Sequence, residues 1–87
     1  MRWKELLPRW VQITDELERQ IQSGRYSPGE RVPSVLTVME QYGVASATAH
    51  KALVGLRDRG LTETHPGLGS YVKREREERT EREEDGQ

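Results

Sequence analysis

The sequence predicts a mainly α fold with a small β-hairpin: three helices plus a two-stranded wing. Three observations predict it. Apolar residues recur at helical spacing in three stretches, closed by Gly24, Gly43 and Gly60. The second and third stretches are joined only by the short turn Gly43-Val44-Ala45. The third is followed directly by two strand-like runs around Pro66-Gly67-Leu68-Gly69. Short helix, tight turn, longer helix and hairpin together make a winged helix-turn-helix arrangement, whose later helix can enter a DNA major groove.

Residues 1–7 have no clear partner; their aromatic residue, Trp3, is open to packing on the body or to a dimer contact. The first helix is expected over 8–23, with Pro8 in its first turn, where a missing N–H goes unnoticed. Ile13, Leu17 and Ile21 lie four apart on its inner face. Pro28-Gly29 suits the centre of a type II turn, with the glycine taking the positive φ. Arg31-Val32 then reads as extended, because a residue before proline is pushed towards β geometry. Ser34 is a good N-cap for a second helix over 35–42, whose inward stripe is Val35, Val38 and Met39. Val44 is expected to bury its side chain between the second and third helices.

The third helix is expected over 46–59. Ala49, Ala52, Leu53 and Leu56 form its apolar face. Ser46, Ala47, His50, Lys51 and Val54 face the other way. That outward face is small and polar at its start and carries two residues able to hold positive charge. Strands are expected over 61–65 and 70–73.

Composition narrows the function classes. The 87 residues form one small domain, without cysteine for disulfides or thiolate metal sites. No apolar run is long enough to span a membrane and no signal peptide is evident, so a cytoplasmic location is the expectation. The net charge of −1 conceals a segregation: residues 1–74 hold 11 Lys or Arg against 8 Asp or Glu, and residues 75–87 hold 3 Arg against 7 acids. The mildly basic body permits nucleic-acid binding without demanding it. Residues 74–87 contain no apolar side chain and are expected to be frayed or disordered. Two histidines fifteen positions apart form no catalytic or metal-binding set, so neither an enzyme nor a cofactor is expected.

From Pro8 to Val72 the chain resembles the DNA-binding domain of the GntR family of bacterial transcription regulators. The matching pieces arrive in order: Gln12-Ile13, Leu17, Ile21-x-Ser23-Gly24, Tyr26-x-Pro28-Gly29, Val32-Pro33-Ser34, Tyr42-Gly43-Val44, Thr48, Lys51-Ala52-Leu53, Leu56, Gly60-Leu61 and Gly67-x-Gly69-Ser70-Tyr71-Val72. The resemblance implies a winged helix that binds operator DNA as a homodimer, usually followed by a metabolite-sensing domain. No such effector domain is visible in the 15 residues after Val72, which leaves a short stand-alone regulator, the favoured expectation, or a fragment of a longer protein. The domain is placed at 8–73, between an N-terminal segment (1–7) and the charged tail (74–87).

The chain departs from the family pattern at several positions. Val35 and Leu36 stand where an acidic residue and an arginine are common, Ser46 and His50 where arginines are common, and Leu68 where the wing tip is often basic. Arginine paired to guanine is the commonest specific base contact. Base reading here is therefore expected to differ from the usual or to lean on phosphate and shape.

The residues expected to contact DNA are Ser34, Ser46, Ala47, Thr48, His50, Lys51, Gly67 and Gly69. Ser34 is both an N-cap and a phosphate donor candidate at a helix N-terminus. Ser46, Ala47, Thr48 and His50 lie where the third helix would enter the groove, and Lys51 is a phosphate candidate. Gly67 and Gly69 let backbone approach the minor groove, although a tight hairpin calls for glycine in any case. Trp10, Tyr26, Tyr42 and Tyr71 are expected in or beside the core. The expected function is a sequence-specific, double-stranded-DNA-binding regulator, a repressor by type. The alternative is a winged-helix protein-interaction module that does not read DNA.

Overall fold

The computed structural model describes residues 2–74. Their order is α1 (Arg9–Gln22), α2 (Val35–Tyr42), α3 (Ser46–Asp58), β1 (Thr62–His65) and β2 (Gly69–Val72). The expected winged arrangement is present. The expectation of a disordered tail lies outside the described residues, apart from Arg74.

Pro8 is the N-cap of α1 rather than its first helical residue. Its ψ of 145° is extended, and its carbonyl accepts the N–H groups of Val11 and Gln12. α2 has the bounds expected, and Ser34 caps it by accepting the Thr37 N–H at 3.2 Å. α3 begins after Ala45, which has no side chain to cap it. β1 begins one residue later than expected, and β2 is shifted one residue towards the N-terminus at both ends. Thr62 pairs with Val72 and His65 with Gly69.

Arg31-Val32 does more than run extended: it joins the sheet. Arg31 bridges to Tyr71, the Val32 N–H donates to Ser70 O at 3.0 Å, and the Val72 N–H donates to Glu30 O at 2.9 Å. The turn before it closes as expected, with the Glu30 N–H donating to Ser27 O at 2.9 Å and φ +86° at Gly29. The wing is thus fastened along both edges of β2.

The core consists of Ile13, Leu17, Val38, Ala49, Ala52 and Leu56, each at most 1% exposed. Burying a side chain such as Ile13 or Leu56 stabilises by about 1.5–3 kcal/mol. α3 lies at the centre, packed against both α1 and α2. Trp3, Trp10, Tyr42 and Val44 pack partly buried against this core. Of the two readings open for Trp3, the structure shows the first: it packs on the body and ties residues 1–7 to it. Gln12 adds a second anchor: its side-chain oxygen accepts the Lys4 N–H at 2.8 Å, and its amide donates to Lys4 O and Leu7 O.

Two helices meet closely at a position with no apolar signal. A Cβ on Gly55 of α3 would lie 2.8 Å from Thr14 Oγ1 of α1. Thr14 is fully buried, and its hydroxyl lies 2.8 Å from the Trp10 carbonyl and 2.9 Å from that of Ala52. At the far end of α3, Arg59 pairs with Asp15 at 2.8 Å and Glu18 at 2.6 Å. Those hydrogen bonds, to Glu18 first and Asp15 second, raise the Arg59 pKa further. α3 is held on α1 at both its middle and its end.

Candidate nucleic-acid interface

The first turns of α3 present Ser46, Ala47 and His50 to solvent, while Ala49, Ala52 and Leu56 face inward with no exposure. This is the division the 3.6-residue period implies. Thr48, one of the expected DNA contacts, and Val54, one of the outward set, are placed differently. Thr48 is half-buried, so only part of it reaches the face. Val54 is also half-buried, in a groove with Trp10, Gly55, Asp58 and Arg59. Lys51 is exposed, but its Nζ sits 5.1 Å from the centre of the Trp10 ring. That cation–π contact parks the charge on the α1 flank rather than on the open face.

Ser34 is exposed at the start of α2, with its hydroxyl already engaged. It donates to Thr37 Oγ1 at 3.1 Å while accepting from the Thr37 N–H. An anion arriving there meets the free N–H groups of the first turn rather than the hydroxyl proton. Beside this cap lies an open groove lined by Arg25, Arg31, Pro33, Ser34 and Thr37, among others. Arg25 was not legible as a site residue, because the long turn gives no periodicity to say which way it points.

At the wing, the Leu68 N–H donates to His65 O at 2.8 Å. Tyr71 Oη donates to Leu68 O at 3.2 Å, and the His65 ring meets the Tyr71 ring edge-on at 5.6 Å. Gly67 is exposed and Gly69 half-buried. Gly69 has φ +112°, and a Cβ there would lie 2.8 Å from Arg31 Nε. The Arg31 guanidinium therefore lies across the base of the wing tip.

The face combines a helix end with small side chains, a capped second helix, two arginines beside it and a glycine-flanked hairpin. Such a surface offers backbone N–H groups and cations with little side-chain bulk in the way. Residues 10–72 match the family described as bacterial regulatory proteins, gntR family. The chain belongs to the GntR family. It is 35% identical over 69 residues to the mannosyl-D-glycerate transport/metabolism system repressor MngR of Escherichia coli, covering 79% of this chain and 29% of that protein. The transcriptional repressor NagR of Bacillus subtilis is 32% identical over 68 residues, which cover 78% of this chain and 28% of NagR. The chain thus spans less than a third of the length of these relatives.

The DNA-binding domain of AraR, solved in complex with operator ORR3, superposes with a TM-score of 0.74 at 29% identity. The match covers 83% of this chain and 87% of that one. A GntR-family regulator from Listeria monocytogenes shares the fold at a TM-score of 0.79, 24% identity, and coverage of 94% and 71%. Winged helices of GntR type are therefore the structural neighbours, as the sequence led one to expect. Among the described residues no helix is long and apolar enough to cross a membrane.

Proposed function

We propose that this chain is a sequence-specific DNA-binding transcription regulator, a repressor by type, that sets α3 in the major groove of operator DNA. The observation that carries the reading is the exposed Ser46–Ala47–His50 face on a helix locked from behind by α1 and α2. The AraR complexes support it, since a domain of the same fold engages an operator there. Ser46 and His50 approach base edges, Ala47 permits close packing, and Thr48 contributes its exposed part. The free N–H groups at the α2 N-terminus, which Ser34 caps, serve a phosphate; Lys51 serves one only by leaving the Trp10 ring; and Gly67 and Gly69 let the wing backbone approach the minor groove. The site of action is the chromosome, in the cytoplasm. Two copies bind an inverted repeat with half-sites about one helical turn apart.

Band-shift titration against the DNA upstream of the chain's own gene tests this. Specific binding is expected, falling steeply with salt, and weakened about 5- to 100-fold by His50→Ala or Ser46→Ala. Equal, weak binding to every duplex, untouched by either change, refutes it. One observation favours the second reading, a protein-interaction module: Leu36 and Leu68 are each 61% exposed. A partner protein captured through those leucines, with no duplex preference, would support that alternative.

A further inference from the structure

We infer that Leu68 is an apolar wedge for the DNA minor groove, with Arg31 as its cationic flank, so that the wing selects easily deformed base steps. The inference rests on the reading of the chain as a duplex-DNA binder and names the element that reads shape. Leu68 is 61% exposed at the end of the hairpin, between two residues that have no side chain. A turn of this kind ordinarily carries polar residues, so the leucine is not explained by turn chemistry. Nor does it belong to the core or to the side chains packed against it.

The tip is nevertheless held rigidly. The bond from the Leu68 N–H to His65 O, the Tyr71 hydroxyl on Leu68 O, and the His65–Tyr71 ring contact fix its backbone. A minor groove about 6 Å wide admits one side chain flanked by bare backbone, and little more. Apolar side chains that enter it pry between base steps and bend the duplex. Pyrimidine–purine steps yield most readily, which converts an uncharged contact into a sequence preference. A single leucine offers far too little area to anchor a protein partner, whose interface needs roughly 1,000 Å² in total. The Arg31 guanidinium beside the tip matches the groove's negative potential. Gly69 leaves room for that arrangement, since any side chain there would displace the arginine.

The test uses the full chain and a pool of random-sequence duplexes. Bound duplexes are sequenced, and the preferred one is end-labelled so that its bend is read by energy transfer. The parent is expected to recover a TA or CA/TG step at a fixed distance from its major-groove half-site. Leu68→Ser is expected to lose that step's enrichment and the bend, with about tenfold weaker binding and an unchanged salt slope. Leu68→Met is expected to retain all three. Arg31→Gln lowers the salt slope by about one. A Leu68→Ser chain that recovers the same step with the same bend overturns the wedge and leaves the regulator reading standing. A parent that recovers no common sequence overturns both. A Leu68→Ser chain that no longer folds overturns the premise that the fold does not need this side chain.

Discussion

Replacing Gly55 by alanine sets two effects of opposite sign against each other. Alanine favours a helix interior over glycine by about 1 kcal/mol, and Gly55 sits well inside α3. Against that, the new methyl would lie 2.8 Å from Thr14 Oγ1, 3.2 Å from Thr14 Cγ2 and 3.3 Å from Trp10 Cζ3. Thr14 cannot turn away without cost. Its fully buried hydroxyl is held by carbonyls of both helices, and losing its acceptors costs about 1–3 kcal/mol. Spreading α1 from α3 instead is overpacking, which also costs about 1–3 kcal/mol. The net expectation is a loss of about 1–2 kcal/mol, a melting point lower by roughly 5–15 °C for a domain of this size. Thermal and urea unfolding followed by far-ultraviolet circular dichroism reads it directly. The Gly55→Ala, Thr14→Ala double variant should recover part of the loss, with a coupling of about 0.5–3 kcal/mol. A Gly55→Ala chain as stable as its parent, or more so, refutes the close-contact argument.

Thr62 Oγ1 is buried with no hydrogen-bond partner among the described residues, while Thr62 itself lies in β1 against the core. Thr62→Val keeps the shape and removes the stranded hydroxyl, so it should stabilise by about 1 kcal/mol; a lower melting point would refute the assignment. Glu16 is held below the usual carboxylate range by hydrogen bonds from the Arg19 guanidinium first and the Gln20 amide second. A lowered folded-state value means the stabilisation is present at neutral pH and lost as pH falls through that value. The melting-point gap between the parent and Glu16→Gln should therefore close on acidification, and a gap independent of pH would contradict it.

The helices were legible because their apolar spacing was regular and their ends carried proline, serine or glycine. α2 shows this best, with a serine cap and a glycine stop that leave no choice of boundary. The outward direction of Ser46, Ala47 and His50 was legible for the same reason. What the sequence withheld were contacts between one element and another. Gly55 reads as an absence in an apolar pattern, yet it marks a close approach of two helices. Gln12 reads as an ordinary polar helix residue, yet it secures the N-terminal segment. Lys51 reads as a free cation on the recognition face until Trp10 is seen beneath it. Arg31 is an ordinary turn residue until it pairs with Tyr71 and covers Gly69. Period and capping describe one element at a time, and each of these four contacts reaches outside its own element.

The seam between residues 29–32 and β2 has a mechanical consequence. With the Gly29 and Val32 N–H groups donating into β2, the hairpin cannot swing without dragging the connector that leads into α2. α2 in turn lies against α3. Helix and hairpin tip therefore behave like the two jaws of a caliper locked at one setting. The span from helix to tip is thereby fixed by the fold itself, ahead of anything that comes to lie between them.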